Sequence, residues 1–104
     1  MRVLIVGGGA REHALAWRLS HDPGVEIIGA PGNAGIAALG RTVSVDPTDA
    51  DQVVALAKKE GADLAVVGPE APLVAGVVDA LRKNGIDAFG PDREGARLEG
   101  SKIF

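Results

Sequence analysis

Short apolar runs alternate along this chain with longer segments of helical spacing, and glycine or proline separates them. Val3–Val6 and Leu64–Val67 are apolar without alternation, which predicts strands buried on both faces. Val25–Ile28 predicts a second strand, Thr42–Val45 alternates like a third and more exposed strand, and Ala88–Phe89 predicts a brief fifth.

Three segments between these strands and one after the last of them have helical character. Leu15 and Leu19 lie four residues apart in the first helix, and Thr48 or Asp49 can cap the second. Gly61 and Gly85 are placed to end the second and third helices. The predicted helices are Arg11–Ser20, a helix from the cap to about Glu60, about Pro72–Lys83, and a last turn or two over Arg93–Leu98.

The alternation of strands and helices along the chain predicts one fold class. Because crossovers between parallel strands are right-handed, the pattern predicts an α/β, Rossmann-like open parallel sheet of about five strands with helices on both faces. A chain of 104 residues without an internal repeat predicts one domain. In such sheets ligands bind beyond the carboxyl ends of the strands, near the switch point in strand order. Three loops are expected to meet there: Gly7–Glu12, Pro31–Gly35 and Gly68–Pro72.

The first of these loops favours a bound phosphate. Gly7 and Gly9 allow a sharp turn and a close approach of backbone N–H groups to an anion, and the helix beginning near Ala10 adds its positive dipole end. The alternative is a tight strand-to-helix turn without a ligand. Arg11 either reaches a phosphate or lies solvated on the helix. Three roles are open for Glu12. Its carboxylate interacts favourably with the positive end of the helix dipole, accepts hydrogen bonds from sugar hydroxyls, or supports the shape of the glycine loop from the side away from the ligand.

The other two loops carry side chains suited to a sugar. Asn33 follows a turn and can both donate and accept hydrogen bonds. In the third loop, Gly68 and Pro69 precede Glu70 at the end of a buried strand. Glu70 either caps the next helix or accepts two hydrogen bonds from ribose hydroxyls, and the flanking prolines fix its direction.

The dinucleotide fingerprint is incomplete in this chain. Gly7 and Gly9 fit its opening, but Glu12 stands at the third glycine position. The acid that would bind the ribose of a nicotinamide is missing after the second strand, where Ile28 is followed by Gly29 and Ala30. No Gly-Lys-Ser/Thr follows the glycine loop either, which argues against a Walker site.

Composition and charge exclude further classes of function. The net charge of −3 gives no pull toward nucleic acid or an anionic membrane, and the absence of cysteine excludes disulfides and thiolate sites. His13 and His21 are expected to be ordinary helix-surface residues, because no third ligand accompanies them. The apolar run after Met1 and Arg2 is too short for a signal peptide or a membrane span, so a soluble, cytoplasmic protein is predicted.

Four segments together resemble one family. The chain is similar to the amino-terminal domain of phosphoribosylamine–glycine ligases (glycinamide ribonucleotide synthetases) along its whole length and in the family's order. GGGAREHA and GPEAPL are the most specific matches. The matching segments are Val3–Trp17 (VLIVGGGAREHALAW), Ala30–Ala37 (APGNAGIA), Val67–Asp79 (VGPEAPLVAGVVD) and Gly90–Lys102 (GPDREGARLEGSK).

The resemblance implies an ATP-grasp carbon–nitrogen ligase of de novo purine biosynthesis, of which residues 1–104 are the pre-ATP-grasp domain that binds phosphoribosylamine. In the family, ATP phosphorylates the glycine carboxylate, and the amine of 5-phosphoribosylamine then attacks it, giving glycinamide ribonucleotide, ADP and phosphate. The Mg²⁺-dependent, ATP-binding grasp subdomains would be intramolecular partners. They and the carboxy-terminal domain are expected to be absent here, because the family's chains are several times longer.

By the same resemblance, this domain supplies substrate-binding residues and no catalytic or metal-binding ones. Gly9, Ala10 and Arg11 would lie against the 5-phosphate, and Glu70 and Asn33 would meet the ribose. The fragment alone is expected to be inactive and to bind neither ATP nor Mg²⁺. Three alternatives stay open: a lobe of another ATP-grasp carboxylase or ligase, a nucleotide-binding fragment of an oxidoreductase, and a stand-alone binding module.

Overall fold

Strands and helices alternate from end to end of the part of the chain described by the computed structural model, residues 1–68 and 74–90. This order confirms the α/β prediction. The elements are β1 (Arg2–Gly7), α1 (Ala10–Leu19), β2 (Glu26–Pro31), α2 (Ala34–Ala37), β3 (Arg41–Thr42), α3 (Ala50–Glu60), β4 (Leu64–Val67), α4 (Val74–Lys83) and β5 (Ala88–Phe89).

The five strands form one parallel sheet in the order β3-β2-β1-β4-β5. β1 lies at its centre, paired with β2 from Arg2 opposite Glu26 to Gly7 opposite Pro31. On its other side β1 pairs with β4 from Val3 opposite Leu64. Because the chain adds strands first on one side of β1 and then on the other, the switch point lies at the carboxyl ends of β1 and β4.

Both faces of the sheet are buried, which explains why the central strands are apolar without alternation. Neighbouring residues Leu4 and Ile5 are both fully buried but belong to different core clusters, one on each face. One cluster packs under α3 and α4 and contains Leu4, Val6, Ile28, Val53, Val54, Leu56, Ala57, Val67, Val77, Val78 and Leu81, among others. The other packs under α1 and α2 and contains Val3, Ile5, Ala16, Ile27, Ile36 and Val66.

The third strand is shorter and earlier than the alternation of Thr42–Val45 predicted. β3 covers only Arg41–Thr42, although the N–H of Val43 still donates to the carbonyl of Gly29 at 2.8 Å. Val43 and Val45 are partly buried against the larger core cluster. Their alternation therefore reflects packing of the crossover segment on the core, without further strand pairing.

The inner face of α1 also differs from the apolar spacing that predicted the helix. Leu15 and Trp17 are 39% and 54% exposed, whereas Glu12 and Ala16 are buried. Leu19 packs against the smaller core cluster. Residues 12, 16 and 19 recur at helical spacing, so a carboxylate occupies one position of the buried stripe. The spacing of the leucines identified the helix without identifying its buried side.

The predicted ends of α3 are confirmed. The Asp49 carboxylate accepts hydrogen bonds from the N–H groups of Asp51 and Gln52, and Gly61 closes the helix in the left-handed conformation at φ 64°. The structure adds the one-turn helix α2, which the sequence pattern did not predict. The expected start of α4 at Pro72 and the expected turn over Arg93–Leu98 lie outside the described residues.

Ion pairs and hydrogen bonds join several elements at the amino edge of the sheet, opposite the switch point. The Arg2 guanidinium contacts the Glu26 carboxylate at 2.9 Å and donates to the carbonyl of Glu60. Arg41 pairs with the Glu60 carboxylate, and the hydrogen bond from Arg41 lowers the pKa of Glu60. These charged side chains serve the fold and lie away from the ligand edge. No helix within residues 1–68 and 74–90 has the length and hydropathy needed to cross a bilayer.

Candidate ligand site at the switch point

A cavity of about 350 Å³ opens where β1 and β4 end. Its position beyond the carboxyl ends of neighbouring strands is the one expected for a ligand in this fold class. Two of the three predicted loops reach it directly, the glycine loop and the start of the third loop at Gly68. Its lining residues are Val6, Gly7, Gly8, Gly9, Glu12, Pro47, Thr48, Val67 and Gly68.

The glycine loop lines this cavity and leads into the first turn of α1. Gly7 adopts φ 125°, a conformation that favours glycine, and Gly9 stands at the N-cap of α1 with an extended backbone. The first N–H groups of a helix have no partner within it, and Gly9 supplies no side-chain cap. The arrangement suits an anion, because these donors and the helix dipole share one direction.

Glu12 holds the loop from behind, which is one of the roles considered for it above. Its side chain is only 3% exposed, and Oε1 accepts a hydrogen bond from the N–H of Gly9 at 3.4 Å. The carboxylate also lies against two glycines. A Cβ at Gly7 would come within 2.2 Å of Oε1, and one at Gly68 within 2.5 Å of Cδ. Glu12 therefore requires glycine at both strand ends.

Asn33 fastens the second loop to the first. Its side-chain amide donates to the carbonyls of Gly8 at 2.9 Å and Gly9 at 3.3 Å, while Oδ1 accepts from the N–H of Ile36 and caps α2. The N–H of Gly32 adds a hydrogen bond to the carbonyl of Gly7 at 3.1 Å. Asn33 does not line the cavity. Its observed contacts position the loop, and a ribose contact stays a prediction.

Replacing Asn33 should separate its two structural roles. Asn33→Ala removes the cap of α2 and both donor bonds, and we expect it to lower the free energy of unfolding by about 2 kcal/mol. Asn33→Asp keeps an acceptor for the N–H of Ile36 but cannot donate to the glycine carbonyls.

Amide hydrogen exchange at Ile36 tests this separation. Exchange should accelerate strongly in Asn33→Ala and little in Asn33→Asp, whereas the amide signals of Gly8 and Gly9 should shift in both. Equal acceleration at Ile36 in the two variants would contradict the assignment of the cap.

The remaining site residues proposed from sequence are placed as follows. Ala10 and Arg11 begin α1 next to the cavity, and both are exposed. Gly68 lies against Glu12 and lines the cavity, and its N–H donates to the carbonyl of Val6 at 3.0 Å. Pro69 and Glu70 lie outside the described residues, so their contacts with ribose stay a prediction.

The histidines make contacts within the helical surface. A Cβ at Gly35 would come within 2.4 Å of the His13 ring, so this imidazole packs directly over the α2 helix. The His21 ring meets Trp17 edge-on with a centroid distance of 4.4 Å. Across residues 1–68 and 74–90, His, Asp and Glu side chains form no group of three that could hold a metal ion.

The end of β2 lacks the acid that a nicotinamide-binding site places there. β2 runs through Gly29 and Ala30 to Pro31. Glu26, the carboxylate of this strand, lies at the opposite end of β2 in the ion pair with Arg2. Glu26 is therefore at the wrong end of β2 to act as that acid.

Sequence reasoning missed Pro47 and Thr48, which close one side of the cavity. They belong to the segment that leaves β3 at one edge of the sheet and enters α3, whose side chains pack on β1 and β4. To make this crossover the chain must pass the carboxyl ends of the central strands. Asp-Pro-Thr-Asp before a predicted helix was the available signal, and it indicated only a cap.

Comparison with known proteins identifies the family of this chain. The model of the family described as phosphoribosylglycinamide synthetase, N domain, matches residues 1–99. The chain belongs to this family. The match includes the glycine loop, Asn33, Thr48 and Gly68, and it confirms the resemblance seen in the sequence motifs.

Individual relatives agree with the family match. The phosphoribosylamine–glycine ligase of Streptomyces coelicolor is 61% identical over 105 residues, a stretch that covers all of this chain and 25% of that protein. The solved phosphoribosylamine–glycine ligase of Thermotoga maritima superposes with a TM-score of 0.64 at 30% identity, covering 99% of this chain and 22% of that one. This chain thus spans about a quarter of the length of these relatives.

A third comparison bears on the fold alone. The structure of glycinamide-RNase-transformylase T from Mycobacterium tuberculosis superposes with a TM-score of 0.71 at 24% identity, covering 99% of this chain and 32% of that one. The parallel sheet with helices on both faces is therefore shared beyond close sequence relatives.

Proposed function

We propose that residues 1–104 form the phosphoribosylamine-binding, pre-ATP-grasp domain of a phosphoribosylamine–glycine ligase. The family match over residues 1–99 carries this proposal, because it joins the glycine loop and the cavity to proteins named for that substrate. The reaction proposed for the whole protein joins glycine to 5-phosphoribosylamine in purine biosynthesis, consumes ATP, and takes place in the cytoplasm.

The donors of the glycine loop support a role in holding the 5-phosphate. N–H groups at the first turn of α1 would donate hydrogen bonds to the phosphate, and the guanidinium of Arg11 at the helix surface would donate two more and add a positive charge. Glu12 would keep the loop in its binding shape through the N–H of Gly9. The ribose would extend across the cavity toward Gly68, with Glu70 as its proposed partner.

ATP and Mg²⁺ are assigned to the rest of the proposed enzyme. Among the residues that the structure describes, Glu12 is the one carboxylate that lines the cavity, and it accepts a hydrogen bond from the N–H of Gly9. A hard cation such as Mg²⁺ prefers several oxygen ligands together with phosphates. We therefore propose that this domain contributes phosphoribosylamine binding and that the grasp domains supply the nucleotide and metal chemistry.

A titration of the chain with ribose 5-phosphate tests the proposal. We expect saturable shifts of the backbone amide signals of Gly7–Glu12 and Gly68, with a dissociation constant near 1 mM, or roughly −4 kcal/mol, because part of the pocket belongs to other domains. NADH is the control ligand and should leave these amides unchanged, since β2 ends without an acidic residue.

Two results would contradict the proposal. Saturable binding of NADH at the same amides would favour an oxidoreductase domain. An absence of shifts with ribose 5-phosphate at concentrations well above 1 mM would show that this domain does not hold the sugar phosphate.

A further inference from the structure

The part of the cavity lining that follows β3 offers hydrogen-bonding groups different from those of the glycine loop. Thr48 lines the cavity together with Pro47, in the segment between β3 and α3. The Thr48 hydroxyl donates a hydrogen bond to Oδ1 of Asp46 at 2.7 Å. The N–H of Thr48 donates to the same oxygen at 2.9 Å. The hydrogen of this hydroxyl is thus directed at a carboxylate of its own loop.

Asp46 accepts that hydrogen as a carboxylate. The hydrogen bond from the Thr48 hydroxyl, followed by that from its backbone N–H, lowers the pKa of Asp46 below its usual value. The carboxylate is therefore ionised at neutral pH and cannot donate in return. As the pH falls through this lowered pKa, protonation weakens the interaction.

The loop that carries Thr48 is tied to the first turn of α3. The N–H of Asp46 donates to Oε1 of Gln52 at 3.2 Å, and Nε2 of Gln52 donates to Oδ2 of Asp49 at 3.0 Å. Asp49 in turn caps α3. Because each link uses a side chain already held by the helix, the position of Thr48 is set by α3.

A hydroxyl group has one hydrogen and two lone pairs. With its hydrogen committed to Asp46, Thr48 can offer a ligand only its acceptor lone pairs. The glycine loop, which also lines the cavity, leads into the first turn of α1, where helix N–H groups are donors. The two parts of the lining therefore fit a ligand with an anion at one end and hydrogen-bond donors at the other.

We propose that Thr48 is a specificity-determining residue of this site, accepting a hydrogen bond from a hydroxyl group of the bound sugar phosphate. This inference rests on the proposed function and adds a residue that selects for the sugar instead of the phosphate. A phosphate ester without hydroxyl groups would gain nothing from Thr48.

The test compares two ligands and two variants in the full 104-residue chain. The ligands are ribose 5-phosphate and methyl phosphate, which has the phosphate group but no hydroxyl outside it. Thr48→Val keeps the side-chain shape and removes the oxygen, whereas Thr48→Ser keeps the oxygen. We expect Thr48→Val to weaken ribose 5-phosphate binding about five- to tenfold, the effect of losing one neutral hydrogen bond. Binding of methyl phosphate should be unchanged, and Thr48→Ser should bind both ligands like the unsubstituted chain.

Each other outcome overturns the inference in a recognisable way. Unchanged ribose 5-phosphate binding by Thr48→Val removes Thr48 from recognition and leaves the proposed function intact. Equal weakening of both ligands means that Thr48 only shapes the loop. If the unsubstituted chain binds neither ligand, the proposed function fails as well.

A second measurement does not depend on the folding of any variant. In the unsubstituted chain the amide signal of Thr48 should shift with ribose 5-phosphate and stay in place with methyl phosphate. A Thr48 signal that responds to neither ligand, while the glycine-loop amides respond to both, would overturn the inference.

Discussion

Replacing Gly7 with alanine is expected to lower the free energy of unfolding by about 3 kcal/mol or more. Two causes add at this position. The backbone stands at φ 125°, where a side chain is strained, and a Cβ would lie 2.2 Å from Oε1 of Glu12. Urea denaturation of the chain, followed by circular dichroism, gives the free energy directly.

A mutant cycle with Glu12→Ala separates the two causes. Gly68→Ala meets the same carboxylate, with a Cβ 2.5 Å from Cδ, but Gly68 has no positive φ. In the Glu12→Ala background most of the cost of Gly68→Ala should therefore disappear. Gly7→Ala should stay costly there, by about 1–3 kcal/mol, because its backbone strain remains.

Gly76 offers a matched control within α4. A Cβ there meets nothing within 4 Å, and no positive φ is needed. Gly76→Ala should stabilise the chain by about 0.5–1 kcal/mol, the usual preference for alanine inside a helix. If Gly7→Ala behaved like Gly76→Ala, the placement of Glu12 behind the glycine loop would be wrong.

Truncation of Leu4 to alanine should be similarly damaging. Leu4 is fully buried in the centre of β1 and belongs to the larger core cluster beneath α3 and α4. Removing its methyl groups leaves a cavity in a close-packed interior, and Leu→Ala changes of this kind cost about 2–5 kcal/mol. We expect the loss in free energy of unfolding to fall in that range, measured by the same denaturation.

Leu15 provides the same chemical change at a different degree of burial. It is 39% exposed on α1, and alanine is a better helix former, so Leu15→Ala should cost less than about 1 kcal/mol. This pair also tests the assignment of the inner face of α1. A large loss for Leu15→Ala would mean that Leu15, and not Glu12 and Ala16, packs on the sheet.

The sequence predicted the fold class because its signals are local and consistent. Val3–Val6 and Leu64–Val67 have no alternation, which only a strand buried on both faces tolerates, and each is followed by glycine and a helical segment. The glycine loop could be located for the same reason, since three glycines between a strand and a helix are a continuous pattern. The resemblance in GGGAREHA and GPEAPL then named the family to which the chain belongs.

The local pattern of apolar residues could not predict the structure where the same spacing is compatible with two different arrangements. Thr42–Val45 alternates, yet only Thr42 of this segment lies in β3, because alternate packing on a core does not require strand pairing. Leu15 and Leu19 have the period of a helix, yet Glu12 and Ala16 are the buried residues of α1. Helical periodicity indicates that one face of a segment is apolar. Which face of the helix is buried depends on how the helix packs against the sheet.

The sequence by itself thus determined the order of strands and helices, the glycine loop and the family. Only the tertiary structure decided that Glu12 lies beneath Gly7 and Gly68, that Asn33 binds the first loop to the second, and that Thr48 reaches the cavity. Glu12 and Gly68 are 56 positions apart and Asn33 and Gly8 are 25 apart, and only Glu12 and Gly7 are near each other in the sequence. The formation of these contacts depends on the crossover paths and on the strand order β3-β2-β1-β4-β5, which no local spacing encodes.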